Sequence, residues 1–187
     1  TKKGFMNNQA KNDRKLAKET TVTITENKTS YMIPFFHPEI VDLIGKMILN
    51  GYDLYFVSAS NVWTIRYMVT VELARLISQK FKKEIKISPE KVIGVSTLLK
   101  DKRTGILYKD PLFVREKSEQ SRLYGMLDSE ELKNYEITNQ IVYPISGYDG
   151  KTSNIMKYIV KENEKPLLVA GDSPGDYSML GFAENRL

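Results

Sequence analysis

Short apolar segments alternate along this chain with amphipathic ones, and this alternation limits the choice of fold more than any other feature. The segments Leu54–Val57 and Pro166–Ala170 are apolar runs of the kind that form buried parallel strands. Apolar residues recur at helical spacing from Pro38 to Asn50, and again after Asn61 and after Lys151. Strands that alternate with helices in this way predict a domain of the α/β class.

The segments between these elements are less regular. A strand is predicted at Thr21–Thr25, and residues 91–117 have a β-rich pattern with a turn at Lys100–Gly105. A polar helix is predicted over residues 118–136 and a further strand at Ile141–Tyr143. No internal repeat interrupts the alternation, so one α/β core is expected.

The composition excludes several kinds of site. The 187 residues include no cysteine, which rules out disulfide bonds, thiolate zinc sites and cysteine nucleophiles. The single histidine, His37, argues against a histidine-rich metal site and against a histidine-based triad, and we expect it on the surface or at a helix entry. No apolar run approaches the roughly 20 residues that span a bilayer, so no transmembrane helix is predicted.

Most of the net charge of +5 lies at the start of the chain. Residues 1–20 contain six basic and two acidic residues, and we expect residues 1–36 to form a polar, basic start before an α/β core of residues 37–187. Such a segment is either a solvated tail or a phosphate-binding arm, and nucleic-acid binding is not expected as the main function. It lacks the apolar stretch of a signal peptide, but an upstream signal could have been removed before Thr1. The compartment (cytoplasmic, periplasmic or secreted) therefore stays open, as does the oligomeric state.

Two loops combine small or hydroxylated residues with the start of a helix. Ser58, Ala59 and Ser60 follow the first apolar strand, and the amide groups and dipole of the next helix favour a negative charge there. Lys151 opens a helix directly after Gly150, where the backbone can approach a ligand closely. Taken singly, Ser58 could be a helix cap and Lys151 a solvated lysine; together they suit a phosphate.

A third loop follows the second apolar strand and carries two carboxylates, Asp172 and Asp176. Carboxylates suit a hard cation such as Mg²⁺, although both could merely cap the helix that follows. Ligands bind beyond the carboxyl ends of strands in open α/β sheets, so we expect the three loops to meet. A hydroxyl, a lysine and paired carboxylates describe a site for phosphoryl transfer.

The three loops resemble, in order, motifs II, III and IV of the haloacid dehalogenase (HAD) superfamily of phosphatases. The resemblance covers the chain from about His37 to Leu180, and details around Ser58–Trp63 and Gly94–Leu98 are most similar to the phosphoserine and phosphorylcholine phosphatase branch. The residues that carry it are Phe56-Val-Ser58-Ala-Ser60, Gly150-Lys151 with Ile155, and Gly171-Asp172-Ser173-Pro-Gly-Asp176.

This resemblance implies a Rossmann-like parallel sheet flanked by helices, with part of a cap insert. It also implies Mg²⁺-dependent hydrolysis of a small phosphomonoester through an aspartyl-phosphate intermediate. Ser58 would then bond a phosphoryl oxygen, and Lys151 would hold both the nucleophile and the phosphate. Asp172 would bind Mg²⁺, and Asp176 would serve as a second acidic partner, to the metal or to the lysine.

One motif of the family is missing from this sequence. Its first motif, Asp-x-Asp, supplies the nucleophilic aspartate and the general acid, and no Asp-x-Asp occurs among the 187 residues. We therefore expect an interior stretch of a phosphatase whose nucleophile lies upstream of Thr1. The alternative is a catalytically inactive HAD-like module that binds phosphate or a partner.

Two aromatic residues follow the Ser58 loop on one face of the predicted helix. Trp63 and Tyr67 are four residues apart, a spacing typical of packing against a core. The alternative is a contact with a cationic substrate group through the ring face.

Overall fold

The computed structural model describes residues 21–24, 29–32, 36–109 and 133–187, and these residues have an α/β architecture. The helices among them are α1 (Pro38–Leu49), α2 (Val62–Tyr67), α3 (Ala74–Phe81), α4 (Asp149–Tyr158) and α5 (Tyr177–Phe182). The strands are β1 (Thr21–Ile24), β2 (Thr29–Met32), β3 (Phe56–Asn61), β4 (Val92–Val95), β5 (Thr97–Asp101), β6 (Leu107–Tyr108), β7 (Tyr135–Ile141), β8 (Leu168–Val169) and β9 (Asn185–Arg186).

The chain divides into two compact units. The first contains β1, β2, α1 and α3, in the described residues up to Leu54 and in Thr70–Lys86. The second consists of Tyr55–Val69 and Ile87–Leu187, and it holds every candidate site residue. The predicted division at residues 36 and 37, and the assignment of the earlier part to a cap insert, stay predictions.

Helix α1 in the first unit follows the sequence prediction closely. Pro38 occupies its first turn, and Gly51, at φ 80°, lets the chain turn away after the C-cap Asn50. The helix packs tightly on α3, because a Cβ atom added at Gly45 would overlap the ring of Phe81.

Strands β3 and β4 in the second unit form a parallel pair with an irregular register. Phe56 lies opposite Val92, and the pairing resumes only at Asn61, opposite Val95. Five steps along β3 therefore match three along β4, so that the segment Ser58–Ser60 bulges from the ladder. Strand β3 thus begins two residues later than the strand predicted at 54–57. It also ends later, because the backbone stays extended through the bulge.

The helix predicted after Asn61 is present but interrupted. Asn61 caps α2 by accepting hydrogen bonds from the amides of Trp63 and Thr64. A π-helical segment, Met68–Leu73, then leads into α3. Trp63 packs against an apolar cluster of Val62 and Ile93, as expected for a packing residue.

Strands β6, β5 and β7 form an antiparallel sheet in that order. The predicted turn between β5 and β6 is confirmed, since Gly105 has φ 74° and its amide donates to the Asp101 carbonyl. The predicted helix is wrong at its described end, because Tyr135 and Glu136 pair with β5 as part of β7. Residues 110–132, which include the rest of that helix and the end of the β-rich stretch, lie outside the described residues.

Strands β8 and β9 form a second parallel pair, and one apolar side chain connects the two pairs. β8 covers only Leu168–Val169 of the predicted strand. Val57 on β3 packs against the cluster of Val62 with Ile93 and against a second cluster, which consists of Ile155, Val169 and Met179. These contacts hold the strand before Ser58, the helix after Lys151 and the strand before Asp172 in one core.

None of the helices in the described ranges is long and apolar enough to cross a bilayer.

Candidate active site

The Ser58 loop presents a hydroxyl group at the bulge of β3. Ser58 is partly buried, and its Oγ accepts a hydrogen bond of 3.1 Å from the amide of Ser60. Accepting this bond uses one lone pair of Oγ and leaves the hydroxyl proton able to donate to an anion. Ala59 and Ser60 are exposed beside it, and Asn61, rather than Ser58, caps the next helix.

Lys151 and Asp176 form a buried ion pair. The ammonium Nζ lies 2.5 Å from Oδ1 of Asp176, and the two residues are only 8% and 3% exposed. Lys151 is therefore not a solvated lysine of a first helical turn. Because neither charge can be removed from the pair without leaving the other buried and unpaired, the geometry of the two groups is strongly fixed.

Ser173 completes the shell of Asp176. Its amide and its hydroxyl both donate to Oδ2, at 3.1 Å and 2.7 Å. Burial opposes ionisation of this carboxyl, but the hydrogen bonds from Lys151 and Ser173 outweigh it and hold the pKa of Asp176 below its ordinary value. Gly171 permits this close packing, since a Cβ atom there would lie 2.5 Å from Cβ of Asp176.

The loop before Lys151 is closed tightly on itself. The amide Nδ2 of Asn154, a residue 1% exposed, donates to the carbonyls of Pro144 and Gly150, at 3.0 Å and 2.7 Å. A Cβ atom at Gly150 would overlap the carbonyl oxygen of Ile145. The side chain of Asn154 therefore joins the two ends of the loop and fixes the start of α4, which begins at Asp149, two residues before the predicted start at Lys151.

The loops of Ser58 and Lys151 lie against each other. A Cβ atom placed on Gly147 would be in ordinary contact with Cβ of Ala59, at 3.8 Å. A second link connects the helices after Lys151 and Asp176, where the hydroxyls of Thr152 and Ser178 are hydrogen bonded at 2.8 Å. The structure thus brings the first loop to the second, and the second to the third.

Asp172 differs from Asp176 in its surroundings. It is exposed, and within the described residues its carboxylate makes no hydrogen bond or ion pair. Both oxygens of Asp176 already accept hydrogen bonds. No group of three or more acidic or histidine residues in the described ranges is arranged to hold a metal ion. Protein sites for Mg²⁺ often use only one or two carboxylates with waters and substrate phosphate, and an open carboxylate such as Asp172 fits such a site.

Three residues that the sequence did not single out lie in or next to these loops. Ser173 and Asn154 hold Asp176 and the lysine loop, and Tyr148 lies in the turn before Lys151 with an unusual backbone. The sequence placed Ser173 inside a recognised motif, which could have indicated its role. Neither Asn154 nor Tyr148 belongs to a pattern that sequence reasoning uses.

Comparisons with known proteins found a curated relative and a solved structure that are similar to this chain. The chain is 33% identical over 147 residues to a phosphorylcholine phosphatase from Pseudomonas aeruginosa, a match that covers 77% of this chain and 37% of that enzyme. The chain thus spans well under half the length of this relative. A solved structure of a conserved protein of unknown function from Anaerococcus prevotii is 26% identical and covers 83% of this chain and 31% of its own, at a TM-score of 0.48. No protein-family model matches the chain.

Proposed function

Because this chain belongs to the HAD superfamily of phosphatases, in the branch of phosphorylcholine phosphatase, we propose that the intact protein hydrolyses a small phosphomonoester. One observation supports this proposal most: the buried pair of Lys151 and Asp176, which fixes an ammonium group in the helix that follows the loop packed against Ala59. A buried lysine held in this way suits a dianionic phosphate better than a solvated lysine does, because the position of its ammonium is fixed before the ligand binds.

The proposed roles of the residues follow from their surroundings. The free proton of Ser58 would donate to a phosphoryl oxygen, with the exposed backbone of Ala59 and Ser60 beside it. Lys151 would neutralise the phosphoryl group and the nucleophile, and Asp176 with Ser173 would orient its ammonium. Asp172 would hold Mg²⁺, which when bound offsets the charge of the transferring group. Asp176, whose oxygens are already engaged, would serve the lysine in the first place.

The reaction also needs a nucleophile that this sequence does not contain. We propose the aspartate of an upstream Asp-x-Asp, whose carboxylate would attack phosphorus while the ester oxygen leaves and takes a proton from the second aspartate. Water would then cleave the aspartyl phosphate, releasing phosphate and restoring the carboxylate. The two parallel strand pairs, β3 with β4 and β8 with β9, would belong to one Rossmann-like sheet that the nucleophile strand also joins.

The test is hydrolysis of phosphorylcholine by the intact protein, followed as phosphate release with and without Mg²⁺. We expect turnover that requires Mg²⁺ and that falls by two or more orders of magnitude in Lys151→Ala, roughly the effect of removing a fixed charge at a transition state. Ser153→Ala is a matched control, because Ser153 lies on the same helix but is exposed, with a hydroxyl that only donates to the Asp149 carbonyl. Near-normal turnover by Lys151→Ala would contradict the proposal.

The second candidate function is a phosphate-binding or interaction module without catalysis. The absence of Asp-x-Asp from these 187 residues favours it. The sequence of the intact protein separates the two functions, because an Asp-x-Asp upstream supports the enzyme and a degenerate first strand supports the binding module. Binding of inorganic phosphate without any phosphate release from esters would be the corresponding result in solution.

A further inference from the structure

Tyr148 has a backbone conformation that tyrosine rarely adopts. Its φ of 47° and ψ of −126° are close to those of the first central residue of a type II′ turn, a position dominated by glycine. The amide of Gly150 closes this turn by donating to the carbonyl of Gly147 at 2.9 Å. A non-glycine residue held there stores strain in the folded protein.

Packing does not account for a tyrosine at this position. Its side chain is 73% exposed, so the ring contributes little buried area to set against the strain. The only two other non-glycine residues with positive φ in the described ranges, Lys82 and Asn163, have φ of 51° and 66°. Lys82 lies in the left-handed helical region after a helix, which is a far more common place for a side chain.

The surrounding loop keeps the strained residue in place. Asn154 joins the two ends of the loop, the Gly150 backbone lies against Ile145, and the Lys151 amide donates to the carbonyl of Tyr148 at 3.0 Å. Strained residues persist when their surroundings determine them so fully, and they are concentrated at functional sites. Here the strained residue is three positions before the lysine of the candidate site.

We propose that Tyr148 contacts the organic part of the substrate, so that its ring is a specificity-determining group beside the phosphate site. This inference rests on the proposed phosphatase function and adds to it the residue that recognises the leaving alcohol. An exposed tyrosine ring offers an apolar edge and an electron-rich face, which suit an alcohol that carries an apolar or a cationic group. Strain that stabilises nothing in the folded state would then be retained for binding.

The test separates the ring from the backbone with three variants of the intact protein. In Tyr148→Gly the strain and the ring are both removed, and we expect the Tm to rise by about 2–4 °C and KM for phosphorylcholine to rise about fivefold. In Tyr148→Ala only the ring is removed, so KM should rise equally while the Tm does not rise. Tyr148→Phe keeps both, and its KM should stay within about twofold of wild type.

Inorganic phosphate provides an internal reference, because it has no organic group for the ring to contact. Its inhibition constant should be unchanged in all three variants, and kcat should change by less than about twofold. Parallel KM measurements with p-nitrophenyl phosphate, whose organic group carries no net charge in the ester, decide between the two kinds of contact. A larger rise for phosphorylcholine indicates a cationic group against the ring face, and an equal rise indicates an apolar one.

Lys82→Gly is the matched control, since it relieves a positive φ at an exposed position outside the candidate site. It should leave KM unchanged. An unchanged KM in Tyr148→Gly and Tyr148→Ala, with normal wild-type turnover, would overturn this inference alone. A fall of Tm in Tyr148→Gly would overturn the account of the strain, whereas wild-type protein without phosphatase activity would overturn the proposed function.

Discussion

Asp172 and Asp176 are four residues apart in one loop, yet they differ in burial and in hydrogen bonding. Asp172 is exposed, whereas Asp176 is buried against the ammonium of Lys151 and two donors of Ser173. The sequence identified both carboxylates through one motif, because spacing carries information about type and order. The sequence could not show which carboxylate is buried and which is exposed, since burial and hydrogen bonding depend on the chain segments that pack around each group.

This contrast predicts that substitution of the two aspartates has unequal effects on stability. Asp176→Asn should lower the free energy of unfolding of the intact protein by about 3 kcal/mol or more, because it leaves the Lys151 charge buried without a counter-ion. Asp172→Asn should change stability by less than about 0.5 kcal/mol, as exposed substitutions usually do, while abolishing Mg²⁺-dependent turnover. Urea unfolding measures the first quantity, and equal destabilisation by the two variants would contradict this assignment.

A third carboxylate, that of Asp101, which is not a candidate site residue, predicts how the stability of the protein depends on pH. Its Oδ1 accepts hydrogen bonds from the backbone amides of Thr104 and Arg103. These bonds, that of Thr104 above all, hold the pKa of Asp101 below its ordinary value, although burial acts in the opposite direction. A lowered folded-state pKa stabilises the protein above the unfolded value of about 3.9 and loses this contribution as the pH falls through the folded-state value.

Asp101→Asn should therefore unfold at a lower urea concentration than wild type at pH 7. The difference should narrow as the pH is lowered below about 4, because the wild-type carboxyl then becomes neutral as well. Asp149→Asn, at an exposed position with no resolved interaction of its carboxylate among the described residues, serves as the control. A difference between wild type and Asp101→Asn that stays constant from pH 7 to pH 3 would exclude this explanation.

Among the elements, β4 and the bulge of β3 depend on one glycine. A Cβ atom at Gly94 would lie 2.7 Å from Cα of Val62 and 2.8 Å from the carbonyl oxygen of Ser60. Both neighbours are backbone atoms that cannot turn away, so β4 and the Ser58 loop can approach only because Gly94 has no side chain.

Gly94→Ala should destabilise the intact protein by about 1–3 kcal/mol, the usual cost of forcing extra volume into a packed site. It should also lower turnover under conditions where the variant is folded, because Ser60 is displaced and Ser58 with it. Gly181→Ala is a matched control: Gly181 lies in helix α5 with open space around it, and alanine should stabilise the helix by about 0.5–1 kcal/mol. Wild-type stability and turnover in Gly94→Ala would show that the strand can move aside.

The elements also show where sequence patterns succeed. Helix α1 was predicted almost to the residue, because Pro38 and Gly51 mark its ends by local chemistry. The strand predicted at 54–57 begins two residues before β3, and the helix predicted over 118–136 overlaps the start of β7. The reason is that the position of a strand depends on a partner far along the chain. The ion pair of Lys151 with Asp176 joins residues 25 positions apart and was likewise beyond a local pattern.

At the scale of the whole molecule, the described strands include two separate parallel pairs, β3 with β4 and β8 with β9. Within the described residues β3 pairs only with β4, and β8 only with β9, although Val57 packs against the cluster that contains Val169. Each pair therefore has a strand edge whose backbone groups no described strand satisfies. The proposed nucleophile strand would pair in parallel at such an edge, and its carboxyl end would then lie beside the carboxyl ends of the strands of that pair.

The chain from Thr1 to Leu187 should accordingly release no phosphate from phosphorylcholine when it is expressed alone. It contains Ser58, Lys151 and Asp172, the residues proposed to bind and orient a phosphate, but no Asp-x-Asp to form the covalent intermediate. Binding of inorganic phosphate by this chain, weakened in Lys151→Ala, would show that the pocket itself is formed. Mg²⁺-dependent phosphate release by this chain would require a nucleophile among the residues present, and the proposed mechanism would have to be abandoned.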